Sequence, residues 1–315
     1  MNRRIFLATT VSAFALLPLA AFAQEKMPVV ASFSILGDMV ANVGGDRVEV
    51  TTIVGPDGDA HVYSPTPADA QAVASAQVVF VNGLAFEGWL DRLIEASEYE
   101  GPVIVTTEGV DLLEMAEEGH DEEGEEHAEG EAEAEGEEHG GADPHAWQSL
   151  ANARVYVTNI EAGLAAADPD GTATYAENAA AYLAEIDQTE SDLIAAIATL
   201  PDNGRTVVTS HDAFGYFAGA YGLTFLAPEG MSTEAEASAA DVAALITQIR
   251  ADGVSAVFLE NITDSRLVEQ IASETDAKLG GTLYSDALSG PDAPAATYLD
   301  MMRHNAVALT TALGE

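Results

Sequence analysis

The sequence has 315 residues, of which 53 are Asp or Glu and only 11 are Lys or Arg, giving a formal net charge of −42 at pH 7. Such an acidic chain is repelled by nucleic-acid phosphates and by anionic membrane surfaces, and it attracts cations. Because the chain has no cysteine, it can form no disulfide and offers no thiol for a lipid anchor, so we expect a soluble mature protein.

The N-terminus, residues 1–23, has the pattern of a secretory signal peptide. Arg3 and Arg4 give the positive start, residues 5–19 the apolar segment, and residues 21–23 the small-residue cleavage motif. The apolar segment is too short to span a membrane as a helix, and no later segment is long and apolar enough. We therefore expect export to the periplasm, with the general secretory and twin-arginine routes both open.

Residues 24–147 are predicted to form an N-terminal α/β lobe, because short apolar runs alternate with helical patterns. The predicted strands are 29–33, 48–54, 78–82 and 103–107, and the predicted helices are 35–43, 68–76 and 86–96. This alternation predicts a mostly parallel sheet with helices on both faces.

An acidic stretch at 117–142 interrupts this lobe and is predicted to be a disordered loop, because it has almost no apolar residue to bury. Its histidines are His120, His127 and His139. Imidazoles and carboxylates on a flexible tether suit loose capture of a divalent metal, although many acidic runs are merely solvated. The loop leads to His145, whose backbone is stiffened by the preceding Pro144.

Residues 148–203 are predicted to be a linking helical segment, since 172–200 has helical apolar spacing and no proline or glycine. Strand–helix alternation resumes over 204–315, the predicted C-terminal α/β lobe. Its predicted strands are 206–209, 224–227, 256–260 and 279–283, and its predicted helices are 213–221, 239–250, 267–275 and 298–313. The predicted fold is thus two α/β lobes joined by one long rigid helix, without a convincing sequence repeat between them.

Four side chains lie in loops near the predicted strand ends, two in each lobe. They are His61, His145, His211 and Asp286. Ligands of open parallel sheets bind at the carboxyl ends of the strands, so a ligand held by all four would lie in the cleft between the lobes. Three imidazoles and one carboxylate suit four-coordinate Zn²⁺; nitrogen-rich sites in general suit zinc, copper or nickel, whereas manganese and calcium favour more oxygen. With four protein ligands and no open position, the site would hold a metal rather than catalyse.

Further residues are assigned roles around this site. Those expected to wall the cleft are Tyr63, Trp147, Phe214 and Tyr216. The candidates to orient the imidazoles are Asp59, Asp212, Glu234 and Glu260. His304, in the last predicted helix, is expected to be structural. The sequence contains no His-Glu-x-x-His motif, no phosphate-binding loop and no glycine-flanked nucleophile elbow.

These motifs resemble those of the periplasmic solute-binding proteins of ABC importers for zinc and manganese. Residues 59–67 resemble the family's first ligand loop, in which a histidine precedes Tyr-x-Pro-x-Pro, and 143–147 its second, a Pro-His-x-Trp. Residues 209–216 resemble the third, a Ser-His-x-Ala-Phe-x-Tyr, and Asp286 the fourth. The resemblance covers essentially the whole mature chain outside the acidic loop.

The resemblance implies a non-enzymatic protein that delivers Zn²⁺ to an ABC permease in the inner membrane. Similar manganese members often carry glutamate at the third position, so His211 favours zinc, and a mobile insert rich in His and acidic residues marks the zinc members. This insert has fewer histidines and more glutamate than many of them. The expected partners are the permease and a periplasmic zinc donor, with no nucleic acid, and the protein is expected to be a monomer.

Three alternatives remain open from the sequence. The first is a manganese-importing member of the same class. The second is an exported zinc hydrolase, which would need a metal-bound water where Asp286 is expected to bind. The third is a metal buffer whose acidic run is its whole function.

Overall fold

The structure, a computed structural model, describes residues 25–113, 141–201 and 204–314. These residues form two α/β lobes, each built on a four-stranded parallel sheet, which confirms the predicted fold class. No helix within the described ranges is long and apolar enough to cross a membrane. The predicted signal peptide and most of the acidic stretch lie outside the described residues.

The first lobe follows the predicted alternation of strands and helices. Its elements are β1 (Met27–Phe33), α1 (Ser34–Gly44), β2 (Val48–Val54), α2 (Pro67–Ser75), β3 (Val78–Val81), α3 (Leu90–Ala96) and β4 (Val103–Val105). The strand order is β2-β1-β3-β4. Strand β3 is buried along its whole length, as expected for a parallel sheet covered on both faces.

Helix α3 is shorter than the predicted helix at 86–96. It begins at Leu90, after a turn region at 83–89 in which φ is 87° at Gly83, 56° at Leu84 and 59° at Ala85. A right-handed helix requires φ near −60°, so these residues form a turn instead. The predicted start of this helix was wrong by four residues, because helical apolar spacing does not show where the preceding turn ends.

Two helices follow, α4 (Leu150–Ala167) and α5 (Thr172–Ile197). Helix α4 packs on the first sheet, whereas the 26-residue α5 contacts α4 and α1 and also α9 at the end of the second lobe. The buried stripe of α5 consists of Tyr175, Ala179, Tyr182, Ile186, Thr189, Leu193 and Ile197. The division of the chain at 147 and 203 stays a prediction.

The second lobe repeats the topology of the first. Its elements are β5 (Thr206–Val208), α6 (Gly215–Tyr221), β6 (Thr224–Leu226), α7 (Ala239–Asp252), β7 (Ala256–Glu260), α8 (Arg266–Glu274), β8 (Lys278–Leu283) and α9 (Tyr298–Leu313). The strand order β6-β5-β7-β8 again places the first strand of the lobe between the second and the third. The repeat lies in the order of the elements, which explains why residue-by-residue comparison does not show it.

Candidate metal centre

The four side chains singled out from the sequence converge between the lobes, at the carboxyl ends of the strands. His145, His211 and Asp286 have no exposed surface and His61 is 6% exposed. The potential ligand atoms of all four lie within 4.8 Å of one another. Burial of so many polar atoms in one place requires strong mutual pairing or a bound cation.

Asp286 lies at the centre of the group. Its Oδ2 is 3.1 Å from Nε2 of His211 and 3.2 Å from Nε2 of His61, and its Oδ1 is 3.6 Å from Nε2 of His145. The Nε2 atoms of His61 and His145 are 3.4 Å apart. All three imidazoles therefore present the same nitrogen to one small volume that the carboxylate shares.

The two histidines of the first lobe share a local device. An aspartate lies two residues before each of them. The backbone N–H of His61 donates to Oδ1 of Asp59, and that of His145 donates to Oδ1 of Asp143, both at 2.9 Å. This is the Asx-type turn that aspartate favours. The carboxylate of Asp143 also lies 2.7 Å from Nδ1 of His145, which directs Nε2 towards Asp286.

The loop that carries His61 is held at its far end by helix α2. Thr66 caps that helix in a capping box with Asp69, and proline occupies its first turn at Pro67. The hydroxyl of Tyr63 donates to the Asp69 carboxylate at 2.9 Å. Pro67 therefore marks the end of the loop and the start of α2. The capping box and the Tyr63 hydrogen bond attach this end of the loop to the helix.

In the second lobe, Glu260 at the end of β7 supports His211. Its Oε2 lies 2.7 Å from Nδ1 of His211, and its Oε1 accepts the backbone N–H groups of Ser210 at 2.7 Å and His211 at 3.0 Å. One buried carboxylate thus fixes both the ring and the backbone of the same residue, as outer carboxylates do for metal-binding histidines.

The charges of the cluster shift its pKa values strongly. Burial by itself would lower the pKa of His145, but the carboxylates of Asp286 and Asp143 outweigh it and raise that pKa to about 9. Burial acts the same way on His211, and Glu260 and Asp286 raise its pKa well above its ordinary value. Burial would raise the pKa of Asp286, yet His211 and His145 hold it well below its ordinary range. Without a metal, His145 and His211 are therefore paired as imidazolium ions with these carboxylates.

Hydrogen bonds close the two lobes around the segment 285–288. The carbonyl of Ser285 accepts from Nε1 of Trp147 at 2.9 Å and from Nε2 of Gln148 at 2.7 Å. Leu288 donates its N–H to the Ser34 hydroxyl at 2.9 Å and accepts from the N–H of Asp57 at 2.8 Å. The segment that carries Asp286 is thus bonded to three separate stretches of the first lobe.

Two further hydrogen bonds between the lobes involve the loop that carries His61. The hydroxyl of Thr233 donates to Oδ2 of Asp59 at 2.6 Å, and the amide of Asn261 donates to Oδ1 of Asp57 at 3.0 Å. Both acceptors lie on the loop that carries His61, so this loop is bonded to the second lobe at two positions just before His61.

The aromatic wall of the site differs from the predicted one. Trp147 contacts the His145 ring, with 5.3 Å between centroids. The principal wall, however, is Phe86, which packs edge-on against His61 at 4.8 Å and His145 at 6.0 Å. Phe86 lies five residues after the end of β3, and the sequence pattern places it at the start of the predicted helix at 86–96.

The other predicted wall residues contact groups outside the four-residue cluster. Tyr63 packs against Trp89, and Phe214 stacks on Phe225. The hydroxyl of Tyr216 donates to the carbonyl of Asp143 at 3.1 Å and accepts from the N–H of Leu113 at 3.0 Å. Tyr216 therefore links Leu113 to Asp143, the residue that pairs with His145.

The predicted orienting residues divide in the same way. Asp59 and Glu260 contact the backbone or ring of a histidine, as described above, whereas Asp212 and Glu234 are exposed. Asp143 was missed, although it shows the same two-residue spacing as Asp59. His304 bonds the carbonyl of Thr282 and packs against Tyr284, in keeping with a structural role. His120, His127 and His139 lie outside the described residues.

Comparison with known proteins identifies the family. Residues 29–312 match the family described as zinc-uptake complex component A, periplasmic. The chain is 32% identical over 291 residues to the manganese-binding lipoprotein MntA of Halalkalibacterium halodurans, covering 92% of this chain and 90% of that protein. It is 31% identical over 320 residues to the iron-binding protein YfeA of Yersinia pestis, covering 99% and 97%.

Solved structures of periplasmic metal-binding proteins are also similar to this chain. The Mn-bound periplasmic metal-binding protein from Candidatus Liberibacter asiaticus superposes with a TM-score of 0.77 at 31% identity, over 92% of this chain and all of that one. The periplasmic zinc-binding protein TroA from Treponema pallidum gives 0.81 at 26% identity, over 92% and 99%. The relatives are named for manganese, iron and zinc, so the similarity identifies the family and leaves the metal open. This chain belongs to the zinc-uptake complex component A family, the periplasmic metal-binding components of ABC importers.

Proposed function

We propose that this protein binds Zn²⁺ in the periplasm and delivers it to the permease of an ABC importer in the inner membrane. The proposed ligands are Nε2 of His61, His145 and His211 and a carboxylate oxygen of Asp286. Three nitrogens and one oxygen form a donor set that favours zinc over manganese.

The spacing of these atoms is the observation that carries the proposal. Four atoms about 2.1 Å from a tetrahedral ion lie about 3.4 Å from one another. The separations here are 3.1 and 3.2 Å from Oδ2 of Asp286 to His211 and His61, 3.4 Å between His61 and His145, and 3.6 Å from Oδ1 of Asp286 to His145, and all candidate ligand atoms lie within 4.8 Å of one another. A zinc ion would therefore fit among these side chains once the most widely spaced ligand atoms move closer together.

Competition between metals tests the proposal. Protein purified without added metal and analysed for its elements is expected to contain zinc, and zinc is expected to displace manganese in titrations. His211→Glu replaces a nitrogen with an oxygen, so it should weaken zinc binding and make manganese relatively more competitive. An unchanged preference in the variant would contradict the role of His211.

Manganese is the second candidate, and two observations favour it. Relatives named for manganese and iron cover nearly the whole chain. In addition, Oδ1 of Asp286 accepts no hydrogen bond from the described residues, so it offers a further oxygen of the kind manganese prefers. Manganese as the tightest metal of the wild-type protein would establish this candidate in place of zinc.

Metal binding should also stabilise the fold. A ligand that binds only the folded state adds about 4 kcal/mol at a thousandfold excess over its Kd, so zinc should raise the Tm markedly. His61→Ala and His145→Ala should abolish most of that rise, and a full rise in both variants would place the site elsewhere.

One deletion tests the role of the acidic stretch, and the number of ligands argues against the hydrolase alternative. Removal of residues 118–140 is expected to leave one tight zinc site and to abolish weak additional binding and fast zinc uptake from a chelator. Loss of the tight site would contradict the assigned ligands. Hydrolase activity would require an open metal position that four protein ligands do not leave.

The export and partner assignments remain part of this proposal. The MntA relative is named a lipoprotein, whereas this sequence contains no cysteine, so we propose a soluble periplasmic monomer. Its partners would be the permease and a periplasmic zinc donor.

A further inference from the structure

The turn that follows β3 has an unusual backbone. Three consecutive residues, Gly83, Leu84 and Ala85, have φ angles of 87°, 56° and 59°. Only glycine adopts such angles freely, so Leu84 and Ala85 are held against their own preference. Glycine is also needed for space at position 83, because an added Cβ would lie 2.6 Å from Cγ1 of Val105.

A buried carboxylate holds this turn from inside. Glu87 is 6% exposed, and its Oε1 accepts the N–H of Asn82 at 2.7 Å and the hydroxyl of Ser32 at 2.6 Å. Its Oε2 accepts the N–H of Gly83 at 3.2 Å. Glu87 thus bonds both backbone donors at the entrance of the turn and ties them to β1.

Asn82 connects the same turn to the loop of His145. Its side-chain amide donates to the carbonyl of Pro144 at 2.9 Å, and its Oδ1 accepts the hydroxyl of Tyr156 at 2.6 Å. The residue whose backbone Glu87 holds therefore contacts the residue directly before His145.

Phe86 lies directly after the turn and packs against the metal centre. The Phe86 ring meets His61 at 76° and His145 at 77°, both edge-on, and it also packs against Trp147 at 4.8 Å and Phe33 at 5.0 Å. Edge-on aromatic contacts are directional, so a change in the path of the turn would change the rotation of both imidazoles.

We propose that Glu87 is a positioning residue for metal binding. By holding residues 83–85 in the left-handed turn, it sets Phe86 against His61 and His145 and fixes the two imidazoles before the metal arrives. This inference rests on the proposed function, in which those two histidines are ligands. Glu87 itself contacts neither histidine.

Glu87→Gln tests the role with little change in volume. The substituted side chain keeps one acceptor oxygen but turns an NH₂ group towards a backbone or hydroxyl donor, so one of the three hydrogen bonds is lost. Loss of groups that orient metal ligands typically weakens binding about 10–100-fold. We expect zinc affinity to fall about tenfold or more by chelator competition, with changed proton shifts for His61 and His145.

Ala85→Gly tests whether zinc affinity lost in Glu87→Gln can be restored through the turn. Such restoration is not expected if Glu87 only stabilises the fold. Glycine accepts the positive φ at position 85 without strain, so Glu87→Gln combined with Ala85→Gly should recover most of the affinity and the wild-type imidazole shifts. Glu95→Gln, at an exposed glutamate of α3, is the matched control and should leave both unchanged.

Two results would overturn the inference. One is a lower Tm for Glu87→Gln with wild-type affinity and imidazole shifts, and the other is a loss of affinity that Ala85→Gly does not restore. If Glu87→Gln does not fold, Ser32→Ala removes one donor to the same carboxylate and should weaken binding a few-fold. His61→Ala separates this test from the proposed function, because wild-type affinity in that variant would refute the ligand assignment itself.

Discussion

The two halves of the metal centre are held in place by different physical means. In the first lobe, His61 and His145 lie against the rings of Phe86 and Trp147, so packing helps to orient both rings, and the Asp143 carboxylate also lies 2.7 Å from Nδ1 of His145. In the second lobe, His211 lies between the carboxylates of Glu260 and Asp286, both within 3.1 Å of a ring nitrogen. The stabilisation from packing depends strongly on side-chain volume and little on pH. The stabilisation from buried charge pairs depends strongly on pH and less on volume. The two halves should therefore respond to different perturbations.

Asp286→Asn should have the largest effect, because it removes a proposed ligand and the charge shared by three imidazoles. We expect zinc affinity to fall by more than the 10–100-fold that is typical for loss of an outer group. In the metal-free protein, the pKa values of His145 and His211 should fall, which an NMR titration of the imidazoles would measure. Asp292→Asn, at an exposed position, is the control, and an equal effect there would rule out a local cause.

Glu260→Gln and Asp143→Asn compare the outer carboxylates of the two halves. Both should weaken zinc binding about 10–100-fold. Both changes break a buried ion pair and leave an unpaired charge, but Glu260→Gln should destabilise the metal-free protein more, by about 3 kcal/mol, because its pair has no exposed side-chain surface whereas the Asp143 side chain is 6% exposed. Urea unfolding of the two metal-free variants checks this order, and equal losses of stability would contradict the contrast between the halves.

The pH dependence of the metal-free protein should follow its raised histidine pKa values. A pKa of about 9 for His145, above the ordinary 6.5, means that its charge pairs stabilise the fold fully below pH 6.5. This contribution, about 3 kcal/mol for His145, is lost as the pH rises through 9, and His211 acts in the same direction. Stability measured at pH 6 and pH 9.5 tests the sign, and equal stability at both would show that the pairs are absent.

The same protons must leave when a metal binds, since a coordinated imidazole is neutral. Calorimetry at pH 7 in buffers of different ionisation enthalpy should detect about two protons released per zinc ion, one from each of the two histidines with raised pKa. Release should fall as the pH rises towards 9, and apparent affinity should increase over the same range. No proton release at pH 7 would contradict the imidazolium–carboxylate pairs.

Phe86→Leu should have the smallest effect and should act by shape alone. It removes the edge-on contacts with His61 and His145, worth about 1 kcal/mol beyond the area they bury. We expect a several-fold loss of zinc affinity with unchanged proton release. A change in proton release would show that packing and charge are not separable between the two halves.

The alternation of strands and helices, and the convergence of residues at strand ends, could be predicted because both follow from local patterns. Parallel strands bring their carboxyl ends to one edge, which is why residues as distant as His61 and Asp286 could be placed together. The spacing of Asp143 to His145 was equally visible and repeats that of Asp59 to His61. Its meaning is clear only when both aspartates are seen to accept the histidine N–H.

The parts that could not be predicted depend on contacts between distant residues. Glu87 has no local pattern that marks it as buried, because its partner Ser32 lies 55 residues away. The positive φ values at Leu84 and Ala85 could not be predicted either, because neither residue type favours a left-handed backbone. The preferred metal cannot be predicted from strand order, since it depends on donor atoms and on small changes in their separation.

The hydrogen bonds on the segment 285–288 have a kinetic consequence. The ion's proposed aspartate ligand lies on a stretch whose own backbone is tied to Ser34, Asp57 and Trp147. A metal enclosed in this way cannot exchange with solvent one bond at a time, so its residence time should be set by how often the lobes separate. Metal release would then require a conformational change. A transporter that separates the lobes would release the metal without supplying ligands of its own to compete for it.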